Sequence, residues 1–157
     1  MALRHLNDIE ELEDTQRGRY LTFALGEEIF GIEIRHVIEI IGILPATRLP
    51  GAPDYIKGII NLRGKIIPVV DVRLKFKKPT AAYDDRTCII VTETQDISVG
   101  LIIDQVTEVL TIKDEDIVPP PVYANVQARY IQGISKADGK VILLLDCVTL
   151  FSEESET

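Results

Sequence analysis

The apolar residues of the chain fall in short runs of strand length, separated by compact segments rich in turn-forming residues. A glycine followed by two glutamates separates the run at residues 20–25 from the run at residues 29–34. A second pair of runs, residues 58–62 and 65–71, flanks the dipeptide Arg63-Gly64. Glycine supplies the positive φ that a tight turn requires, so both patterns predict β-hairpins.

The second half of the chain repeats the first. Residues 55–76 align with residues 130–151 at a spacing of 75, with nine identities in 22 positions. Upstream, residues 30–39 match residues 99–108 at a spacing of 69, and the difference places an insertion of six residues at 122–127. Self-similarity at a fixed spacing indicates a duplicated structural unit.

The repeat divides the chain into two copies, each predicted to form one β-barrel. The first barrel is expected to span residues 19–76 and the second residues 86–151, joined by a polar, proline-containing linker at 77–85. Residues 1–18 form a leader, and residues 152–157 form an acidic tail. A barrel of about 60 to 75 residues is marginally stable alone, which favours packing of the two copies together.

Two further patterns support this all-β architecture. The strands at 66–70 and 141–145 are apolar on both faces, so each must be covered on two sides, as happens when two small barrels pack together. After each copy's last strand, Asp71 or Asp146 precedes a short apolar segment that ends in phenylalanine. Aspartate in this position predicts the N-cap of a short helix.

The charge of the chain is distributed unevenly. Seventeen Lys and Arg residues against 25 Asp and Glu give a net charge of −8, which disfavours a general nucleic-acid binder. Residues 1–18 and 152–157 each carry −3, the first copy carries +2 and the second −4. The sequence has neither 18 consecutive apolar residues nor a secretory signal, so we expect a cytoplasmic protein.

Residue types that commonly carry catalysis or bind metals are sparse. Cys88 and Cys147 lie among apolar or β-branched residues without metal or redox spacing, and we expect both to be buried, reduced thiols. His5 lies in the leader, and His36 has no metal-ligating residue at a suitable spacing. The sequence therefore predicts no metal site, no cofactor and no catalytic centre.

One segment approaches the phosphate-binding loop pattern without matching it. Five residues rather than four separate Gly58 from Gly64, and Ile66 stands where a Ser or Thr must reach magnesium. The same spacing recurs at Gly133 and Gly139. We therefore interpret it as a hairpin required by the fold.

Positions that differ between the copies are candidates for function, because positions shared by both are most simply requirements of the fold. At the equivalent hairpins, the first copy has Asn61, Leu62 and Arg63, whereas the second has a charge-mixed segment at 136–138. The opposite net charges of the copies fit a protein that holds two different partners, or result from drift between old duplicates.

The order and spacing of these motifs resemble the CheW family of bacterial chemotaxis coupling proteins over about residues 17–151. The most specific block runs from Lys57-Gly58 through Asn61-Leu62-Arg63-Gly64 to Pro68-Val69-Val70-Asp71. The resemblance implies two five-stranded barrels of the Src-homology-3-like kind. It also implies a non-catalytic adaptor between the cytoplasmic tips of transmembrane chemoreceptors and the regulatory domain of the histidine kinase CheA, recruited to receptor arrays.

The resemblance also implies a receptor-binding surface at Val37, Glu39 and Arg63, with Gly58 nearby. Val37 and Glu39 have counterparts in the second copy, so a role in the fold is the alternative for both. The same alternative holds for Gly58, which recurs, whereas Arg63 has no arginine counterpart. The family's kinase contact uses apolar patches at the ends of both copies, whose residues the sequence leaves unknown.

Three questions stay open at this stage. A β-barrel enzyme or ligand-binding regulator is a rival interpretation, which would require a pocket with convergent polar groups. A coupling protein for pilus motility or another output would have the same motifs. The leader forms either an amphipathic helix lying on a barrel, through Leu3, Leu6, Ile9 and Leu12, or a partly disordered segment.

Overall fold

The computed structural model describes residues 17–120, 127–137 and 139–151, so the predictions for the leader up to residue 16 and for the tail lie outside the described residues. The all-β class is confirmed, and short helices follow the last strand of each copy as predicted. The described strands are β1 Arg19–Leu25, β2 Glu28–Glu33, β3 Val37–Gly42, β4 Ile56–Leu62, β5 Lys65–Asp71, β6 Cys88–Thr94, β7 Ile97–Ile103, β8 Gln105–Thr111, β9 Ile117–Val118, β10 Ile131–Ala137 and β11 Lys140–Leu145. The helices are α1 Val72–Lys75 and α2 Cys147–Phe151.

The strands form two sheets. The six-stranded sheet has the order β8-β1-β2-β11-β10-β9, and the five-stranded sheet has the order β3-β6-β7-β5-β4. Neighbouring strands are antiparallel except for the pairs β2 with β11 and β5 with β7, which are parallel. When the two-residue strand β9 is left out and the other strands are numbered within their own copies, both sheets have the order 3-1-2-5-4, which is the structural counterpart of the sequence repeat.

The division of the sheets differs from the predicted barrels at 19–76 and 86–151. The first two strands of each copy pair with the last three strands of the other copy, so each sheet draws on both copies. The continuous segment 37–103 supplies the five-stranded sheet, and the chain crosses between the sheets at residues 34–36 and again at Asp104. The repeat identifies equivalent strands, but equivalence cannot tell whether a strand pairs within its own copy or with the other.

Among the described residues, the buried apolar side chains form three clusters, one shared by the sheets and one inside each. The shared cluster is the largest and includes Phe23 and Phe30 of the six-stranded sheet and Ile90 and Leu101 of the five-stranded sheet. Strand β5 contributes to two clusters, because its Val69 lies in the five-stranded sheet's own core while Val70 packs against the shared one. The expectation that these strands are covered on both faces is confirmed for residues 69–70 and 142–145, whereas Ile66 and Val141 at the starts of the strands are exposed.

The cap and cysteine predictions have different outcomes. The Asp71 carboxylate accepts a hydrogen bond from the Leu74 amide, as predicted for an N-cap. Cys147 is buried, and burial raises the pKa of its thiol to about 12. Cys88 is only half-buried, so the prediction of full burial was wrong for this residue. Cys88 is the first residue of β6, and residues 89–92, which follow it in the strand, are buried.

No helix in the described ranges combines the length and apolar character needed to cross a bilayer.

Candidate functional site

Glu39 and Arg63, which the resemblance in sequence motifs led us to expect in a receptor-binding surface, form an ion pair on the five-stranded sheet. Arg63 and Gly64 both have positive φ and make the two-residue turn between β4 and β5, in which the Gly64 amide donates to Asn61 Oδ1 at 2.9 Å. Arg63 Nη2 donates to Glu39 Oε2 at 2.9 Å, and Nη1 donates to the other carboxylate oxygen. Since β3 and β4 are the two edges of this sheet, the pair connects edge to edge.

The pair is exposed to solvent, which decides what it can do. The Arg63 side chain is 73% exposed and that of Glu39 23%. Hydrogen bonds from Arg63 lower the pKa of Glu39, and those same bonds raise the pKa of Arg63, so both groups remain charged at neutral pH. Exposed ion pairs add little to stability because water screens them. The guanidinium is therefore better placed to meet a partner than to stabilise the fold.

Val37 contributes less surface than the sequence implied. It is half-buried and packs against the shared core, opposite Thr92 of β6. The β3–β6 register shifts between Val37 and Glu39, which places a bulge at Ile38. In this position Val37 contributes to the fold, which is the alternative role that its counterpart in the second copy had left open.

The sequence interpretation missed the exposed apolar residues that flank Glu39 along the chain. Ile38 is 56% exposed and Ile40 45% exposed on the edge strand β3. Further exposed apolar residues follow in the segment after it. We call this surface the β3 strip and define it as Ile38, Ile40, Ile43, Leu44 and Leu49. Within 37–42 every residue except Glu39 and Gly42 is aliphatic, so the pattern alone gave no signal for which ones face solvent.

Gly58 has a backbone role in this region. Its φ is 145°, and a Cβ at this position would lie 2.3 Å from the Thr47 carbonyl oxygen. Thr47 and Ile59 exchange two backbone hydrogen bonds of 2.8 Å, which tie the segment after β3 to the outer edge of β4. The close approach requires glycine, and Gly58 itself is buried.

The equivalent surface on the six-stranded sheet is chemically different. Its edge strand β8 has Glu108 at the position of Glu39, but Thr107 and Val109 replace Ile38 and Ile40. The Glu108 backbone is held at its own bulge, where its amide and carbonyl both bond to Thr22 Oγ1. The residue equivalent to Arg63 is Asp138, which lies outside the described residues. The two copies therefore present unlike surfaces at equivalent places.

A pair of apolar patches lies on the β2–β11 and β5–β7 sides of the sheets. On the five-stranded sheet, Ile66 is 58% exposed and Ile97 53% exposed, beside the ion pair of Lys65 with Glu93 at 3.1 Å. On the six-stranded sheet, Val141 is 56% exposed and lines an apolar groove with Ile29, Leu143 and the Lys140 and glutamate side chains at its rim. Ile66 and Val141 are equivalent in the repeat, so we call these surfaces the two end patches.

A polar cleft lies under the linker. Arg73 Nε donates to Asp104 Oδ1 at 2.8 Å, and the Gly26 amide donates to Asp104 Oδ2 at 2.8 Å. Arg73 lowers the pKa of Asp104, because its hydrogen bonds stabilise the carboxylate. The Tyr83 hydroxyl donates to Asp71 at 2.8 Å. These groups satisfy one another and join the β1–β2 hairpin to α1 and to the crossover residue between the sheets.

Metal ligation has no support in the residues that can be described: among them, no three or more His, Cys, Asp or Glu side chains are grouped to hold an ion.

Comparison with known proteins places the chain. The CheW-like domain model matches residues 19–155. The chemotaxis protein CheW of Klebsiella aerogenes is 37% identical over 142 residues, covering 90% of this chain and 86% of that protein. The chemotaxis protein CheW of Rhizobium meliloti is also 37% identical, over 145 residues, covering 90% and 94%.

A solved structure agrees with the sequence comparison. The crystal structure of the scaffolding protein TtCheW from Thermoanaerobacter tengcongensis superimposes with a TM-score of 0.81 at 36% identity, covering 86% of this chain and 92% of that one. Identity at this level over almost the whole domain, with the shared fold, leaves one assignment. The chain belongs to the CheW-like domain family.

Proposed function

We propose that the protein is a non-catalytic chemotaxis adaptor that couples chemoreceptor signalling tips to the histidine kinase CheA in the cytoplasm, at membrane-associated receptor arrays. The observation that carries the proposal is the exposed Glu39–Arg63 pair beside the β3 strip. Relatives at 37% identity are named chemotaxis protein CheW, and a structural relative at 36% identity is described as a scaffolding protein.

The receptor side fits an amphipathic helix. Ile38 and Ile40 offer apolar side chains along an edge strand, which match the apolar stripe of a helix laid against it. Arg63 projects from the turn between β4 and β5. Its hydrogen bonds to Glu39 are exposed and can be replaced by contacts to the partner. Arginine is enriched among residues that dominate binding energy, because its planar group makes directional bonds.

The kinase side fits the two end patches. Ile66 and Val141 occupy equivalent places on the two sheets, so one molecule has two related apolar surfaces, each of which can bind a separate partner. The regulatory domain of CheA is itself CheW-like in the family that this chain resembles. Two such ends per molecule allow a closed ring in which adaptor and kinase domains alternate through heterologous contacts.

Replacing Arg63 by alanine is expected to weaken binding to a receptor signalling fragment by about tenfold or more while leaving the unfolding midpoint unchanged. The reason is that an exposed ion pair contributes to contact rather than to stability. The measurement is titration calorimetry with the receptor fragment, alongside thermal unfolding. The matched control is Lys136→Ala, which removes a cation from the equivalent hairpin of the other copy.

A charge exchange separates contact from positioning. In the double variant Glu39→Arg with Arg63→Glu, the ion pair can re-form with its polarity reversed. If the charges themselves touch the receptor, this variant binds as poorly as Arg63→Ala. Recovery of full receptor affinity would instead mean that the pair only holds the hairpin in place.

An aspartate in either end patch is expected to weaken binding of the CheA regulatory domain without affecting the receptor fragment. Val141→Asp and Ile66→Asp each place a charge in an apolar contact, where burying an unpaired carboxylate is costly. The measurement is the affinity for the regulatory domain, and Val118→Asp on β9 is the control because that residue is 55% exposed outside both patches. Unchanged kinase affinity in both patch variants would reject this assignment.

A further inference from the structure

We propose that this chain can exchange its two repeat copies with a second copy of itself, forming a dimer in which the first copy of each chain completes both sheets with the second copy of the other. The hinge is the turn at residues 84–87. This inference goes beyond the adaptor function and does not depend on it.

Strand pairing joins the two copies to each other. Four strand pairs join residues 19–76 to residues 86–151, namely β1 with β8, β2 with β11, β3 with β6 and β5 with β7. Without its sister copy, a copy would retain its β1–β2 and β4–β5 hairpins or their equivalents, and would leave β3 or β8 without a neighbouring strand. Each copy therefore needs a sister copy, but nothing in the pairing requires that sister to be in the same chain.

The shared core also lies between the two copies. Phe76 ends the first copy and stacks on Tyr130 of the second, with ring centroids 5.6 Å apart. It also packs against Phe30 of its own copy at 5.5 Å. An exchanged dimer keeps these contacts, because it supplies the same side chains from another chain. The contacts that stabilise the monomer thus stabilise the dimer equally.

The linker between the copies is bonded to the first copy over most of its length. Its first part packs on the first copy: Arg73 Nη1 donates to the Pro79 carbonyl at 2.9 Å, and Tyr83 donates to Asp71 at 2.8 Å. Lys78 makes an ion pair with Glu28, also in the first copy. The linker up to Tyr83 is therefore bonded to the first copy, and the change of direction that leads into the second copy comes after it.

That change of direction is a local turn. Asp84 Oδ1 accepts hydrogen bonds from the Arg86 amide at 2.8 Å and from the Thr87 amide at 3.2 Å. The Arg86 guanidinium makes a long hydrogen bond of 3.4 Å to Gln105 of the second copy. Opening this turn costs a few exposed hydrogen bonds and breaks no strand pair within either copy. Such a hinge is the element that exchange of identical units between chains requires.

Under the proposed adaptor function, the dimer has a consequence that the monomer lacks. Glu39 and Arg63 both belong to the first copy, so each of the two bodies carries one complete pair beside its own β3 strip. Two binding surfaces on one particle bind a clustered array more tightly than one surface does, since the second contact is intramolecular.

A disulfide reports which chain supplies the second copy. Gly42 of β3 lies directly opposite the native Cys88 of β6, and their opposed positions match the Cα separation that a disulfide needs. A Cβ added at Gly42 meets nothing within 4 Å, so the new side chain has room, and forming the bond draws its Cβ and that of Cys88 together from beyond this distance. In Gly42→Cys, the disulfide forms within one chain in the monomer and between chains in the exchanged dimer. Non-reducing electrophoresis distinguishes the two products.

The experiment refolds Gly42→Cys from denaturant under reducing conditions at two concentrations and then oxidises it. A short linker gives an effective concentration on the order of millimolar, so about 10 µM protein should give mostly the intrachain product and about 1 mM a substantial interchain product. The variant Gly42→Cys with Cys88→Ser measures nonspecific cross-linking. The dimer is isolated by size-exclusion chromatography with light scattering.

Two hinge variants sharpen the test. Arg86→Pro removes the amide that bonds to Asp84 and pushes residue 85 towards an extended conformation, which opens the turn. Arg86→Ala loses the same side chain but keeps the amide. The interchain fraction at a fixed concentration is expected to rise roughly tenfold in Arg86→Pro and to stay unchanged in Arg86→Ala.

Three results would overturn the proposal. The first is an intrachain disulfide alone at every concentration, in the native hinge and in Arg86→Pro. The second is a dimer whose disulfides are intrachain, because that dimer uses another surface. The third is equal covalent dimer in the Cys88→Ser control. If Arg86→Pro fails to fold, the concentration series with the native hinge decides the question.

Discussion

Replacing Phe30 by alanine is expected to lower the free energy of unfolding by about 3–5 kcal/mol, in a single transition that involves both sheets. Phe30 is fully buried, and its ring lies between Phe23 at 5.8 Å and Phe76 at 5.5 Å. The truncation leaves a cavity in the cluster that both sheets share. A loss of this size is a large part of the about 5–15 kcal/mol that stabilises a typical domain.

The measurements are denaturant unfolding, followed by circular dichroism, and thermal unfolding, followed by calorimetry. Val118→Ala is the control, because Val118 is 55% exposed and its truncation creates no cavity. Because the copies share strands and core, each method should show a single transition in the parent and in Phe30→Ala, with a lower midpoint in the variant. Two separate transitions, with only one affected by the substitution, would contradict the description of one cooperative body.

Gly58→Ala is expected to destabilise the fold by about 3 kcal/mol or more, through strain and lost hydrogen bonds. The φ of 145° is outside the range that alanine adopts readily, and the new Cβ would lie 2.3 Å from the Thr47 carbonyl oxygen. Relief of that overlap requires the segment at Thr47 to move away from Ile59, which breaks their two backbone hydrogen bonds. Thermal and denaturant unfolding measure the effect.

Gly42→Ala is the matched control for this prediction. Gly42 lies in β3 of the same sheet, and a Cβ there meets nothing within 4 Å, so its replacement should change stability little. If Gly58→Ala is as stable as Gly42→Ala but loses receptor binding, Gly58 is a contact residue rather than a requirement of the backbone.

The sequence predicted the fold class through its repeat and its strand-length apolar runs. The identities between residues 55–76 and 130–151 have a clear physical basis, since both segments form a hairpin followed by a capped helix. Which strands pair with which could not be read in this way. Strands β2 and β7 are equivalent, so exchanging their partners β11 and β5 leaves every hydrophobic pattern unchanged.

At the candidate site, the sequence indicated the charged pair but did not indicate which apolar residues of β3 are exposed. Arg63 was identifiable because the second copy has no arginine at its place, and the structure puts it on Glu39. Val37 was expected to face the partner, yet the bulge at Ile38 leaves Val37 half-buried and exposes its neighbours. A bulge depends on how two strands meet, and a run of aliphatic residues gives no local signal for it.

Recruitment of CheA to receptors by this chain tests the central claim most directly. Vesicles carrying a chemoreceptor are sedimented with CheA, with and without the protein, and the kinase in the pellet is measured. We expect that kinase sediments with the receptor only when the adaptor is present, that Arg63→Ala reduces adaptor and kinase together, and that Val141→Asp reduces the kinase alone. Equal kinase in the pellet without the adaptor, or an adaptor that binds neither component, would contradict this claim.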